Sequence, residues 1–286
     1  MHLHLYYEEQ FDIFAQKIKS ALSGRNYSLF ITINECNDEI KQKFLSFKSD
    51  AKFIIVKNIG ADIFPFITVL NLVNLEDYDY VIKLHTKNFH RKVGLIGRIM
   101  GKDKDVHYLK NLPWNREYSS FLTAKNIEKI FFEFEKDKKL GIVADHYVIS
   151  KNHRKKRNRG ITAATKNLLK SQGLPAQIVT YPIGTMFIGR AALFNSVKKL
   201  NLDESHFHKY KDKNFPTSFP NSMEQFIGNC ANANGFTTKD VYNSYFHRFV
   251  DKLQHVCQTI SLFLFRIDKG FVKIFKIPVF KIRTHT

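Results

Sequence analysis

The sequence predicts an α/β fold: a mostly parallel, Rossmann-like sheet flanked by helices, followed by a basic C-terminal extension. Three observations predict it. Short β-type runs alternate with helix-period segments through the first 86 residues, the pattern of a doubly wound sheet. The chain has 286 residues and 44% apolar content, enough for one α/β domain with an extension. From about Phe246 the composition changes, with aromatic and aliphatic residues mixed with Lys and Arg and few acidic ones.

Taken in order, HLHLYY is the first β-type run. EEQFDIFAQKIKSAL then spaces Phe11, Phe14, Ile18 and Leu22 as one face of a helix. YSLFITIN reads as a strand, and Asn37 or Asp38 suits the cap of a helix running to about Phe47. AKFIIVKN is the third strand. IFPFITVLNLVNL reads as a helix with Pro65 in its first turn, where a missing N–H costs little. YDYVIKLH is the fourth strand, and it reads as buried. Residues 88–117 show no period. Residues 118–137 look helical, and LGIVAD is a fifth strand. Lys151–Gly160 is a basic run suited to a loop. QIVTYPIGTMFIGR is a strand or strand pair, AALFNSVKKL a helix, and SMEQFIGNCANANGF a helix stopped by Gly235. There is no internal repeat. The expected division is a domain over residues 1–245 and an extension over 246–286. The extension reads either as a surface-seeking amphipathic segment or as elements that close the core.

Composition narrows the partners. The formal net charge of +19 points to an anionic partner: phosphorylated substrate, anionic membrane or nucleic acid. No helix-turn-helix or aromatic-basic RNA signature favours nucleic acid. The three cysteines form no C-x-x-C pair, and their odd number argues against a disulfide framework and for a cytoplasmic setting. The opening MHLHLYYEEQ lacks the order of a signal peptide. TISLFLF, the longest candidate, is far short of a membrane span.

Ligands of open α/β sheets bind beyond the carboxyl ends of strands, and three segments there carry candidates. In KNIGADIFPF, Asn58 and Gly60 suit a tight turn and Asp62 opens a helix, where an Asp is commonly a cap. In KLHTKN, Lys83, His85 and Lys87 share one face of an extended strand. Three basic groups there are costly unless an anion or carboxylates answer them, and an exposed strand end is the plainer reading. In PIGTMFIGR, Gly184 lets a ligand approach the backbone. Glu224, read as a first-turn residue of the following helix, is a candidate general base or simply a dipole-favoured carboxylate.

MHLHLYYEEQ, NIGADIFPF, YDYVIKLHTKN, PIGTMFIGR and EQFIGN together resemble, in order, the landmarks of the rhamnan synthesis F family of bacterial polysaccharide glycosyltransferases, over roughly residues 1–236. The family's Asn-Arg-Gly-Arg-Asp type loop reads Asn58-Ile59-Gly60-Ala61-Asp62 here, without either arginine, so the resemblance implies no particular donor sugar. The motif order also resembles the GT-A glycosyltransferase plan. That plan implies a nucleotide-sugar donor met by the first strand (His4), by the loop after the third (Asn58, Gly60, Asp62), by Lys83, and by Gly184 and Thr185 at the sugar. It implies Glu224 as base. Where the plan has a metal-holding Asp-x-Asp, this chain has His85-Thr86-Lys87. The expectation is that Lys87 and His85 stabilise the diphosphate without a metal, Mg or Mn held by Asp62 being the alternative. Asp77 and Asp79 sit at the wrong end of the strand for that role.

Trp114 and Arg116 are acceptor-side candidates, although a chain's one Trp is more often core. The expected function is transfer of a sugar onto a growing cell-surface polysaccharide or lipopolysaccharide, with a lipid-linked or core oligosaccharide acceptor. The expected location is the inner face of the cytoplasmic membrane, as a peripheral protein on an anionic surface. The competing function is a non-catalytic binder of an anionic polymer or nucleic acid, motivated by the basic run Lys151–Gly160.

Overall fold

The computed structural model describes residues 1–35, 38–86, 121–145, 149–150, 159–207 and 218–240, and the backbone of three strands between 265 and 281. The main unit is a seven-stranded sheet. Its first four strands are β1 (His2–Leu5), β2 (Phe30–Ile33), β3 (Lys52–Ile55) and β4 (Tyr80–His85). They are joined through α1 (Phe11–Ala21), α2 (Asp38–Phe47) and α3 (Ile63–Leu72). Then follow α4 (Ala124–Lys136), β5 (Leu140–Ala144), the two-residue strand β6 (Ile149–Ser150) and α5 (Arg159–Ser171). The unit ends with β7 (Tyr181–Pro182), β8 (Phe187–Arg190), α6 (Asn195–Lys198), α7 (Ser218–Ala233) and β9 (Thr237–Asp240).

The strand order is β3-β2-β1-β4-β8-β5-β9. All neighbours are parallel except β8, which runs antiparallel to both β4 and β5. The expected mixed α/β sheet, mostly parallel and flanked by helices, is therefore what the chain forms. QIVTYPIGTMFIGR contributes to two sheets: β7 pairs with β6, and β8 enters the main sheet after the Gly184 turn. AALFNSVKKL is not one helix. Ala191–Phe194 is a 3-10 turn that leads into the short α6.

Alternation along the strands decides which side chains share a face. Leu3 pairs with Ile31 and Leu84, and Phe53 with Ile31. On this face Phe44 of α2 stacks on Phe53, and Phe131 and Phe134 of α4 meet the ring of Tyr80. The opposite face holds His2, His4, Thr32, Lys83, His85 and Phe187 and is covered by α3, whose Phe66 stacks on His2 and meets Phe187 edge-on. In the tail, β10 (Phe265–Asp268), β11 (Phe271–Ile274) and β12 (Ile277–Lys281) form a separate antiparallel sheet. Among the described residues no helix is long and apolar enough to cross a membrane.

Candidate active site

The sheet's direction gathers the candidates at one edge. β1 to β4 are parallel, so the residues after each open on the same side. Because β8 is antiparallel, the turn that precedes it, Gly184–Thr185, opens there too. The register sets His2 beside Lys83 and His4 beside His85 on neighbouring strands, with Thr32 beside His4 on the other side.

The buried polar groups on this face answer one another. Thr32 Oγ1 lies 2.8 Å from His2 Nε2 and 3.1 Å from His4 Nδ1. Burial and the nearby Lys83 ammonium hold His2 well below the ordinary histidine range. Burial also lowers His4, to about 4, although the Asp62 carboxylate works against the shift. Both imidazoles are therefore neutral at pH 7.

Lys83 is 0% exposed, and a buried ammonium needs an answering charge. Asp62 supplies it: Lys83 Nζ lies 2.5 Å from Asp62 Oδ2 and donates to Thr185 Oγ1 at 2.7 Å, while that hydroxyl donates to the same carboxylate oxygen at 2.6 Å. His85 Nδ1 lies 3.3 Å from that oxygen. The face-sharing of Lys83 and His85 read from alternation is present, and of the two expected answers, an anion or a carboxylate, the fold supplies a carboxylate from the loop after β3.

Asp62 occupies the cap position of α3 but makes no side-chain cap hydrogen bond. The common structural use of an Asp at a helix start is thus not the one made of it. Its side chain keeps 20% exposure, whereas Lys83 and Thr185 are fully enclosed.

Two turns aim these groups. Gly60 and Ala61 have φ of +62° and +54°, and Gly184 and Thr185 have +80° and +50°. Non-glycine residues in this region cost about 1–3 kcal/mol each and persist where the surroundings over-determine them. Thr185, being β-branched, is the more unusual. Gly60 is also needed for space: a Cβ there would lie 2.5 Å from Phe207 Cδ1 and 2.9 Å from Phe64 Cβ. Asn58 stands apart from the cluster, its Nδ2 reaching Tyr6 OH at 3.5 Å. Thr86 Oγ1 accepts from the amides of Tyr6 and Tyr7 and so ties the ends of β1 and β4 together.

The second turn is held by α7. Glu224 is not in the first turn of its helix, as expected, but in the second. The helix runs from Ser218, and Pro220 is tolerated inside its first turn because the N–H it lacks would have no intrahelical acceptor there. Glu224 Oε1 accepts the Gly184 amide. One turn on, Gly228 lets α7 pack closely: a Cβ there would lie 2.7 Å from both Tyr181 Cβ and Pro182 Cδ. Asn229 takes the Val179 amide at 3.0 Å and donates to Gln177 O at 2.9 Å, and Gln225 donates to Tyr181 OH at 3.2 Å. The EQFIGN motif thus clasps the segment that delivers Gly184 and Thr185.

Beyond the ends of β2 and β3 lies a cavity of about 400 Å³ lined by Asn34, Val56, Lys57, Phe64 and Glu204 among others, with Lys57 and Glu204 paired as ions.

Sequence reasoning brought forward Asp62, Lys83, His85, Thr185, Gly184 and Glu224, which the fold joins in one connected set. It missed the polar roles of His2, Thr32, Gln225 and Asn229. The alternation His2-Leu3-His4-Leu5, polar against apolar, was the available signal for the first. Lys87, Trp114, Arg116 and residues 151–158 of the basic run lie outside the described residues. Among the described residues no group of three or more His, Cys, Asp or Glu side chains is placed to hold a metal ion.

The chain belongs to the rhamnan synthesis protein F family, whose family model matches residues 1–235. The match takes in every strand of the main sheet except β9. No curated protein matches the chain. Membership supports a glycosyltransferase of polysaccharide synthesis in general.

Proposed function

We propose that this protein moves a sugar from a nucleotide-sugar donor onto a growing cell-surface polysaccharide or lipopolysaccharide, on a GT-A-like sheet and without an Asp-x-Asp-bound metal. The observation that carries the reading is the buried polar cluster at the carboxyl edge of the sheet, converging on the partly exposed carboxylate of Asp62. A cluster that is costly to bury and aimed by two strained turns suits a ligand site better than a packing role.

In this reading the base and nucleoside of the donor lie along His4, Asn58, Gly60 and Asp62. The backbone of Gly184–Thr185 walls the sugar. Trp114 and Arg116 belong to the acceptor side. The acceptor hydroxyl attacks the anomeric carbon, and the bond from that carbon to the diphosphate oxygen breaks. The nucleoside diphosphate leaves with the electron pair. For an inverting enzyme Glu224 takes the acceptor proton. Lys87, as a fixed cation, and His85, as a hydrogen-bond donor, stabilise the charge that grows on the leaving diphosphate.

The Lys83 ammonium is already paired with Asp62 Oδ2, and a cation held beside that carboxylate favours this arrangement over Mg or Mn. The acceptor is a lipid-linked or core oligosaccharide. The basic extension 246–286 rests on an anionic membrane surface at the cytoplasmic side, and co-sedimentation with anionic vesicles that is insensitive to salt would remove that part.

The test is transfer from nucleotide sugars by the purified protein, with and without a chelator. Activity should survive chelation. Loss on chelation that a divalent ion restores would overturn the metal-free mechanism. Glu224→Gln keeps a carbonyl for the Gly184 amide, so the turn should stay in place while turnover falls ~10²-fold or more. Near-normal turnover would remove Glu224 as base. No hydrolysis or transfer with any nucleotide sugar, together with steeply salt-dependent nucleic-acid binding, would favour a non-catalytic binder.

A further inference from the structure

Thr185 presents a contradiction. It is fully buried, β-branched and held at a φ of +50°, where glycine or asparagine would sit more easily. Serine would carry a hydroxyl there with less crowding. What the position supplies is an oxygen at 2.6 Å from Asp62 and 2.7 Å from Lys83, closing a triangle with the 2.5 Å ion pair. Within it the ammonium gives to both oxygens, and the hydroxyl gives to the carboxylate.

The closed triangle fixes the Asp62 side chain in rotation as well as position, since Lys83 and Thr185 approach one oxygen from different elements, β4 and the turn before β8. Neither partner is exposed, whereas Asp62 is.

We propose that the Thr185 hydroxyl and the Lys83 ammonium are positioning groups that act on the donor only through the carboxylate of Asp62. The Thr185 hydroxyl and the Lys83 ammonium touch no ligand; they hold Asp62 in the one orientation that meets the nucleoside. Glu224, through the Gly184 amide, is the outer brace of the same device. The inference rests on the reading that Asp62 contacts the donor.

The experiment is calorimetric titration of the full chain with UDP, GDP, CDP, ADP and dTDP, then of variants with whichever binds the wild type most tightly. Thermal unfolding of each variant confirms its fold. Thr185→Val keeps shape and branching and removes only the hydroxyl; affinity should fall about tenfold, as for loss of a hydrogen bond to a charged group. Thr185→Ser should bind within about threefold of wild type. Should valine fail to fold, Thr185→Ala relieves the branching and gives the same comparison.

The decisive arm is the cycle with Asp62→Asn. If Thr185 acts through Asp62, the double variant binds no more weakly than Asp62→Asn alone. A double variant that loses the full product of both single effects overturns the inference, as does wild-type affinity in Thr185→Val. If none of the five nucleotides binds the wild type, it is the donor reading that falls, and the inference with it.

Discussion

The two faces of the same strands make opposite use of burial. Leu3, Leu5, Ile31, Ile33, Ile82 and Leu84 form one; His2, His4, Thr32, Lys83 and His85 form the other. No residue of either set is more than 5% exposed. The apolar face gains from burial directly, at roughly 25 cal/mol per Å² removed from water. The polar face gains nothing until each group has a partner, and its partners come from β2, the loop before α3 and the turn before β8. Hydrophobic residues of similar volume would commonly be as stable or more so. Stability therefore accounts for the first face and not for the second, and the second is where a function has to be sought.

The largest effects that would break this contrast come from one substitution on each face. Lys83→Met strands the Asp62 carboxylate; because Asp62 is partly solvated, the cost should sit at the lower end for a broken buried pair, about 3 kcal/mol. Adding Asp62→Asn should recover most of it. Leu84→Ala should cost a similar amount, about 3 kcal/mol, by leaving a cavity. Denaturant midpoints measure both. The contrast lies in nucleotide binding: Lys83→Met should lose it, and folded Leu84→Ala should keep it. Equal retention in both would dissolve the distinction between the faces.

A smaller effect separates the faces by pH. The folded-state value of His4, about 4, lies below its ordinary 6.5, so between those limits the unfolded chain binds the proton and the folded chain does not. Stability is complete above about pH 6.5 and falls as the pH drops toward 4. Between pH 7 and pH 5 the His4 share should be about 2 kcal/mol, with His2 adding in the same direction. His4→Leu, which gives this position the character of the opposite face, should flatten the profile. An unchanged slope in denaturation measured across that range would show that the polar face does not bury its imidazoles neutral.

The smallest expected difference, about 1–2 kcal/mol, distinguishes the site loop from an ordinary turn. Gly60 and Gly24 both have positive φ, +62° and +71°. Only at Gly60 would a Cβ collide with its surroundings. Gly24→Ala should cost about 1 kcal/mol from backbone strain alone. Gly60→Ala should cost about 2–3 kcal/mol, because overpacking against Phe64 and Phe207 adds to the strain. Equal losses in thermal unfolding would mean that the loop carrying Asp62 is no more constrained than a surface turn.

Local pattern carried much of this. The helical spacing of Phe11, Phe14 and Ile18 and the runs FITI and YVIKLH specify α1, β2 and β4 without reference to the rest of the chain. A lysine inside an apolar strand was legible as unusual, and so were Asp62, Gly184 and Glu224 as residues of the right chemistry near strand ends. Three things were not legible. Strand β9, TTKD, has too few apolar residues to announce itself, and its pairing with β5 supplies what its composition lacks. The start of α7 was misplaced because Pro220 reads as a breaker unless it falls in the first turn. His2 and Thr32 read as strand residues of no special use until the register set them side by side.

What the sequence by itself determined is the α/β class, the strands of the first half, a basic composition after about Phe246, and a set of candidate residues scattered over more than two hundred positions. What only the tertiary structure decided is the direction of β8, the use of Asp62 as a partner for Lys83 rather than a helix cap, and the clasp of α7 on the Gly184 turn. The physical reason is range. Periodicity and capping are interactions between residues a few positions apart, and they are written in the order of the chain. The charge on Lys83 is answered by residues 21 and 102 positions away. Which distant group arrives to answer it depends on the packing of the whole sheet.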